Sequence, residues 1–371
     1  MARAQGNRIF ANDSSPQAAF IADLESLIPK LMDEAVVPGL SIALVREGKL
    51  LWRRGFGFKD SATKEPVDKD TVFEAASISK TVFAYAVMKL CAKGVIDLDT
   101  PLTHYTSERF LEDDPRLERI TARHVLSHTS GFQDWRSKAE PLQIHFTPGE
   151  KFLYSGEGYY YLQSVVTRLT GHVNRNHCAQ YEAGLEICAT DIDPYMKRNL
   201  FGPFGMSSSG YVWNATFEKH TARPHDSNGK PFAKKKPTAT DAARYASAGG
   251  LHTTATDYAE FLLEIVNPKQ PDAFRLSKQS LKEMLRPQVK LDEQQKIDGA
   301  SSWGLGWAIQ EKQNGNVIVH SGGQDGFRSL TMASVENKSG FIILTNGDNG
   351  ANVLHDPTLA ERLNLFLAGS V

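Results

Sequence analysis

The chain has 371 residues and a hydrophobic share of 41%, enough to fill one large core or two lobes. Its 42 Lys and Arg balance 43 Asp and Glu, so it carries no long-range field that would draw in nucleic acid or an anionic membrane surface. No stretch approaches the roughly 20 apolar residues of a membrane-spanning helix.

The first residues, MARAQGNRIFANDSSPQAAF, contain no signal-peptide core. The chain as given therefore reads as cytoplasmic, or as periplasmic or secreted if a leader has been removed. Without an export signal, the sequons at Asn12, Asn214 and Asn337 carry no weight. Residues 16–35 have helical spacing, with Phe20, Leu24, Leu27, Ile28 and Leu31 on one face. Pro38-Gly39 breaks that pattern. Residues 40–46 and 50–58 read as strands joined by a turn at Glu47-Gly48. An apolar helix is predicted from about Ser77 to Ala92, stopping at Gly94. Residues 95–250 are mixed, and 172–191 reads as an inserted excursion. Another helix is predicted at 254–266. Residues 303–310, 316–320, 328–335 and 340–346 read as four strands, with turns at Gly315 and Asn337-Lys338, and 352–368 as a closing helix. This order predicts an α+β chain. Its sheet draws on both chain ends, approximately 16–60 and 300–371, with a helix-rich lobe at approximately 61–299 and a site in the cleft between them.

The three cysteines, Cys91, Cys178 and Cys188, do not suggest a disulfide framework, although Cys178 and Cys188 could pair locally. Cys91 lies in the apolar helical run and is expected in the core. Lys234-Lys235-Lys236, flanked by Pro231 and Pro237, reads as a solvated loop.

The spacing Ser-x-x-Lys occurs at Ser61/Lys64, Ser77/Lys80 and Ser227/Lys230. Two of these lie in polar, turn-rich stretches that fix no geometry. Ser77 instead follows Phe73, Ala75 and Ala76 and opens the apolar helix. Residues three apart share a helix face, so Lys80 is expected beside the Ser77 hydroxyl. A lysine in an apolar wall loses its proton more readily and can act as a base. The competing reading is a capping serine and a snorkelling lysine. Tyr154-Ser155-Gly156 adds a phenol able to relay a proton. His320-Ser321-Gly322-Gly323 ends a strand with small residues, along whose edge a substrate could lie. A backbone N–H there could complete an oxyanion hole with that of Ser77.

In the order Ser-x-x-Lys, Tyr-Ser-x, His-x-Gly, the chain resembles the serine β-lactamase and penicillin-binding superfamily. Its branch is similar to class C β-lactamases, family VIII carboxylesterases, DD-carboxypeptidases and D-aminopeptidases. The resemblance covers most of the chain: FEAASISKTVFAYAVMKL, ITARHVLSHTSGF, YSGEGYYYLQSVVTRLTG, FGPFGM, ASAGGLHTTATDYAEF, WGLGW, HSGGQDGF and FIILTNG. It implies a single β-lactamase-like catalytic domain with an antiparallel sheet and an acyl-enzyme on Ser77. Lys80 and Tyr154 would share the proton transfers, with either as the base, and the N–H groups of Ser77 and Gly323 would form the oxyanion hole. His320 stands where many members have the lysine of Lys-Thr-Gly. Gly156 replaces the asparagine of Tyr-x-Asn, which answers the acyl amide of β-lactams, and it would leave room for a bulkier acyl group. His320, Ser321, Gly322 and Gly156 are thus expected to contact substrate.

Other signals point less clearly. His124 and His128 are four apart and would share a helix face, but no glutamate follows His124 as a zinc protease requires. His172, His177, Cys178 and Cys188 match no usual zinc spacing. Ser130 lacks the Gly-x-Ser-x-Gly frame of a nucleophile elbow. Trp303 and Trp307 suit either cleft or core. The reading is a serine hydrolase that needs no cofactor and no metal. Its expected substrates are small-molecule esters first, then small peptides or D-amino-acid amides, then β-lactams. A slowly acylating penicillin-binding protein and a vestigial site are the alternatives.

Overall fold

The computed structural model describes residues 15–107, 109–170, 173–180, 186–190, 192–313 and 315–371. Asn12, His172 and the side chains of His177, Cys178 and Cys188 lie outside the described residues.

Helix α1 (Pro16–Ala35) starts where the Ser15 side chain accepts from the Ala18 N–H and Pro16 takes the first turn. Phe20, Leu24, Ile28 and Met32, each four apart, are its buried stripe. Strands β1 (Gly39–Arg46) and β2 (Lys49–Asp60) follow. Their turn has positive φ at both Glu47 (52°) and Gly48 (77°), the backbone of a two-residue hairpin whose twist matches its strands. Two-residue β3 (Glu65–Pro66) lies at the edge beyond β2.

Short β4 (Phe73–Glu74) leads to helix α2 (Ser79–Ala92) through a single 3₁₀ turn, Ala76–Ile78. Strands β5 (Val173–Gln180) and β6 (Glu186–Thr190) form a separate ribbon in the excursion expected at 172–191, with Cys178 opposite Cys188 in its backbone register. Strand β7 (His252–Thr253) pairs with β4. The last six strands are β8 (Val289–Lys290), β9 (Ser302–Trp303), β10 (Ala308–Gln310), β11 (Val317–Gln324), β12 (Phe327–Ser334) and β13 (Ser339–Thr345).

The main sheet runs β3-β2-β1-β13-β12-β11-β10-β9-β8, and every pairing in it is antiparallel. The two chain ends meet at its centre, where Ile42 lies opposite Ile343. Side-chain alternation splits β1 between two cores. Leu40, Ile42 and Leu44 pack with Phe20, Leu24 and Ile28 of α1 and with Leu363 and Phe366 of the last helix. Ala43 and Val45 face the other way, into the core that holds Val82, Phe83 and Val87 of α2. Burial on both faces is why these strands read as unbroken apolar runs.

Three expectations shift. The strand expected at 303–310 is two short strands folded back on each other, because the Gly304 N–H donates to Trp307 O at 2.8 Å and Gly306 sits at φ 84°. A Cβ on Gly306 would meet the Ala84 Cβ at 2.5 Å, so only glycine lets this turn approach α2. The closing helix breaks at Asp356 into Gly350–Leu354 and Pro357–Leu367. His124 lies in the helix Ala122–Leu126, but His128 lies beyond its end at φ 55°, so the two share no helix face.

Candidate active site

Ser77 sits in the 3₁₀ turn rather than in the first turn of the α-helix. Its neighbour Ala76 has φ 50°, a left-handed conformation that β-carbon-bearing residues adopt only when held there. The holding bonds are present. The Ala75 N–H donates to Leu251 O at 2.8 Å, the Ser329 hydroxyl donates to Ala75 O at 2.7 Å, and the Ser79 hydroxyl donates to Ala76 O at 2.6 Å. Gly322 of β11 packs directly on the turn. A Cβ there would fall 2.8 Å from Ala75 O and 2.9 Å from Ser77 N.

One turn on, Lys80 is buried, and its ammonium faces the Ser77 Oγ at 3.4 Å. It also donates to Ala248 O at 2.6 Å and lies 4.8 Å above the Tyr154 ring. Burial lowers its pKa to about 8 against the opposing pull of the Asp134 carboxylate. The Tyr154 phenol moves the other way. Loss of water drives its pKa up, and its hydrogen bond with Ser77 only partly offsets that. At neutral pH the site therefore holds a protonated phenol and a lysine within reach of losing its proton.

Ser77, Lys80, Tyr154 and Gly323 line one cleft of about 490 Å³. The other expected contacts are not among its lining residues. His320 is only 3% exposed and is not among the cleft-lining residues. Its Nδ1–H donates to Ser321 O at 2.7 Å, and its ring packs at 5.4 Å against Trp303 and 6.4 Å against Tyr154. Burial and the Lys80 charge push its pKa down to about 3, so it is neutral. Gly322 and Ser321 form the strand behind the Ser77 turn and are likewise absent from the lining. Gly156 does not open space: the Trp135 indole lies where a Cβ would go. Its N–H donates to Asp134 Oδ1 at 2.8 Å.

The cleft wall that sequence reasoning missed is built from Asp134, Trp135, Arg136, Arg244 and Tyr245. Arg136 and Arg244 converge on Glu157, which is fully buried, at 2.8 and 2.5 Å. Arg244 also lies 4.7 Å from the Trp135 ring and 4.4 Å from that of Tyr160. These residues are about a hundred positions apart in sequence, and no local pattern joins them. The lysine run is an exposed loop, as expected, but its side chains are paired. Lys234 pairs with Glu74 at 2.5 Å and Lys235 with Asp241 at 2.8 Å at the cleft, and Lys236 with Glu218 at 2.6 Å. Gln324 also donates to Glu74. Trp303 and Trp307 are core residues, fully buried. Ser130 is buried too and does not line the cleft. Among the described residues no group of three metal-binding side chains gathers, and no helix is long and apolar enough to cross a membrane.

A sheet fed from both chain ends and a Ser-x-x-Lys pair facing a tyrosine across a cleft define a class, and comparison with known proteins agrees. The β-lactamase family model matches residues 24–364, so the chain belongs to the β-lactamase family, which takes in serine β-lactamases and penicillin-binding proteins. It is 22% identical to Protein flp of Staphylococcus aureus (strain MRSA252), over 95% of this chain and 66% of that protein. The chain thus spans about two thirds of that relative's length. It is 24% identical to penicillin-binding protein 4* of Bacillus subtilis (strain 168), over 87% of this chain and 71% of that one. Among solved structures, a β-lactamase/D-alanine carboxypeptidase from Pseudomonas syringae superposes with a TM-score of 0.72 at 19% identity. That match covers 91% of this chain and 99% of the other, and it shares the fold.

Proposed function

We propose that the chain is a serine hydrolase that forms an acyl-enzyme on Ser77 and acts chiefly as a carboxylesterase on small esters. The observation that carries this reading is the buried Lys80 amine, with a pKa near 8, at 3.4 Å from the Ser77 Oγ. Neutral Lys80 takes the hydroxyl proton as Oγ attacks the ester carbonyl. The N–H groups of Ser77 and Gly323 receive the oxyanion, a role supported by the close packing of β11 on the Ser77 amide. Tyr154, a protonated phenol bonded to Ser77, passes its proton to the departing alkoxide and is reprotonated from Lys80. Water then attacks the acyl-enzyme along the reverse proton path and releases the acid.

Two features favour esters over β-lactams. The neutral, buried His320 supplies no cation for the carboxylate a β-lactam carries. Trp135 fills the space beside Gly156, so the asparagine of Tyr-x-Asn that answers the acyl amide has no counterpart at that position. A β-lactam thus leaves polar groups poorly paired, at about 1–3 kcal/mol each. The likeness to penicillin-binding protein 4* supports a second reading, a protein that acylates but turns over slowly. Nitrophenyl butyrate and a chromogenic cephalosporin distinguish them. Steady ester turnover with a higher kcat/KM than for the cephalosporin supports the esterase. A stoichiometric burst without turnover supports the second reading.

A further inference from the structure

We propose that His128 is the positioning residue for Tyr154, holding its ring and the backbone on both sides of it so that the phenol meets Ser77. This rests on the reading that Tyr154 relays the proton. Three contacts converge on residues 153–155. The His128 carbonyl accepts the Leu153 N–H at 2.8 Å. The His128 ring accepts the Ser155 N–H on Nδ1 at 3.0 Å. Between these two bonds, the same ring stacks on the Tyr154 ring, with centroids 4.3 Å apart and planes 29° apart.

The grip is itself held. His128 is fully buried at φ 55°, and Phe152 at 5.8 Å, Tyr159 at 5.2 Å and Trp303 at 4.9 Å surround its ring. A left-handed backbone persists at a non-glycine residue when its surroundings over-determine it, and such positions cluster at working sites. Accepting on Nδ1 places the ring proton on Nε2. Burial and the Lys80 charge keep the ring neutral, so the acceptor remains available at working pH. Ser155 in turn caps the helix Gly156–Leu169, its hydroxyl accepting the Gly158 N–H at 2.9 Å. The segment carrying Tyr154 is thus pinned by His128 on one side and by a helix start on the other.

His128→Asn separates this role from a merely structural one. Asparagine tolerates positive φ and offers an acceptor toward Ser155, but it has no ring to stack on Tyr154. For ester hydrolysis we expect kcat to fall roughly tenfold with KM within about twofold, the signature of a misplaced reacting group. In a Tyr154→Phe background the same substitution should cost less than about twofold, because no phenol proton remains to be positioned. Melting temperatures of all four proteins establish that each is folded, and His128→Gln carries the comparison if His128→Asn is not. Equal losses in the two backgrounds would overturn the proposal, as would an unchanged kcat in the single variant. Full activity of Tyr154→Phe alone would overturn the relay reading, and the positioning role with it. An active-site loss in Tyr154→Phe accompanied by additive His128 effects would sink the positioning role only.

Discussion

The acid limb of the pH–rate profile tests the assignment of Lys80 as base. Its pKa of about 8 reflects burial, which lowers it, opposed by Asp134, which raises it. Acylation requires the neutral amine, so the reactive fraction is about one tenth at pH 7 and about nine tenths at pH 9. We therefore expect kcat/KM for a neutral ester to rise about tenfold over that interval with a midpoint near pH 8. Asp134→Asn removes the charge that favours the ammonium, so the midpoint moves to lower pH and activity at pH 7 rises. Activity at pH 7 cannot rise more than about tenfold, since the neutral fraction there starts near one tenth. Asp134 also accepts the Gly156 N–H, a bond asparagine keeps through its carbonyl. The assay is initial-rate hydrolysis of a nitrophenyl ester from pH 6 to 9.5, corrected for spontaneous hydrolysis. A profile flat across this range, or an acid limb that Asp134→Asn leaves in place or moves upward, would refute the argument. A limb appearing only above pH 9 would mean that burial does not lower the Lys80 pKa as the geometry implies.

Ser77→Ala should abolish ester turnover and the mass adduct with a serine-reactive fluorophosphonate; an adduct mapped to Ser61, Ser130 or Ser227 would contradict the assignment. Gly156→Asn should lower the melting temperature and depress ester and cephalosporin hydrolysis alike, because its Cβ collides with the Trp135 indole; adding Trp135→Ala should restore stability in part. Glu157→Gln should cost about 3–5 kcal/mol in denaturant unfolding, since two buried guanidinium groups, Arg136 and Arg244, lose their shared carboxylate. A loss under about 1 kcal/mol would mean that water or another group already satisfies that pair.

The parts legible in sequence were those whose physics is local. The hairpin at Glu47-Gly48 declares itself because two adjacent residues must take positive φ. Strands β1 and β13 declare themselves as apolar runs because helices cover both faces of the sheet centre. The Ser77–Lys80 approach follows from their spacing together with the apolar helix that begins beside Ser77. The strain at Ala76 does not, because it comes from bonds to Leu251 and Ser329, far away in the chain. The fold-back at 304–307 was hidden for a related reason. WGLGW has the apolar character of a strand, and only the approach of Ala84 reveals why its glycines turn. The charged cleft wall was equally invisible. A buried carboxylate needs partners, but nothing near Glu157 in the sequence says that one of them is Arg244.

His320 shows why a motif position and a role must be argued separately. It occupies the strand next to the Ser77 turn, as the pattern suggested, yet its donor is spent on Ser321 O and its ring closes the aromatic wall behind Tyr154. A lysine there would place a second ammonium near Lys80 in a buried setting, where like charges depress each other's pKa. A neutral imidazole spares Lys80 most of that repulsion while filling the same wall. The cleft's other cations, Lys234, Lys235, Arg136 and Arg244, are each committed to a carboxylate. Asp134, by contrast, takes a backbone N–H and acts on Lys80 through its charge. An arrangement of this kind leaves little positive charge free to hold an anionic substrate, and it tunes Lys80, the amine proposed as the base. That balance is the electrostatic reason for expecting neutral esters to be the better substrates.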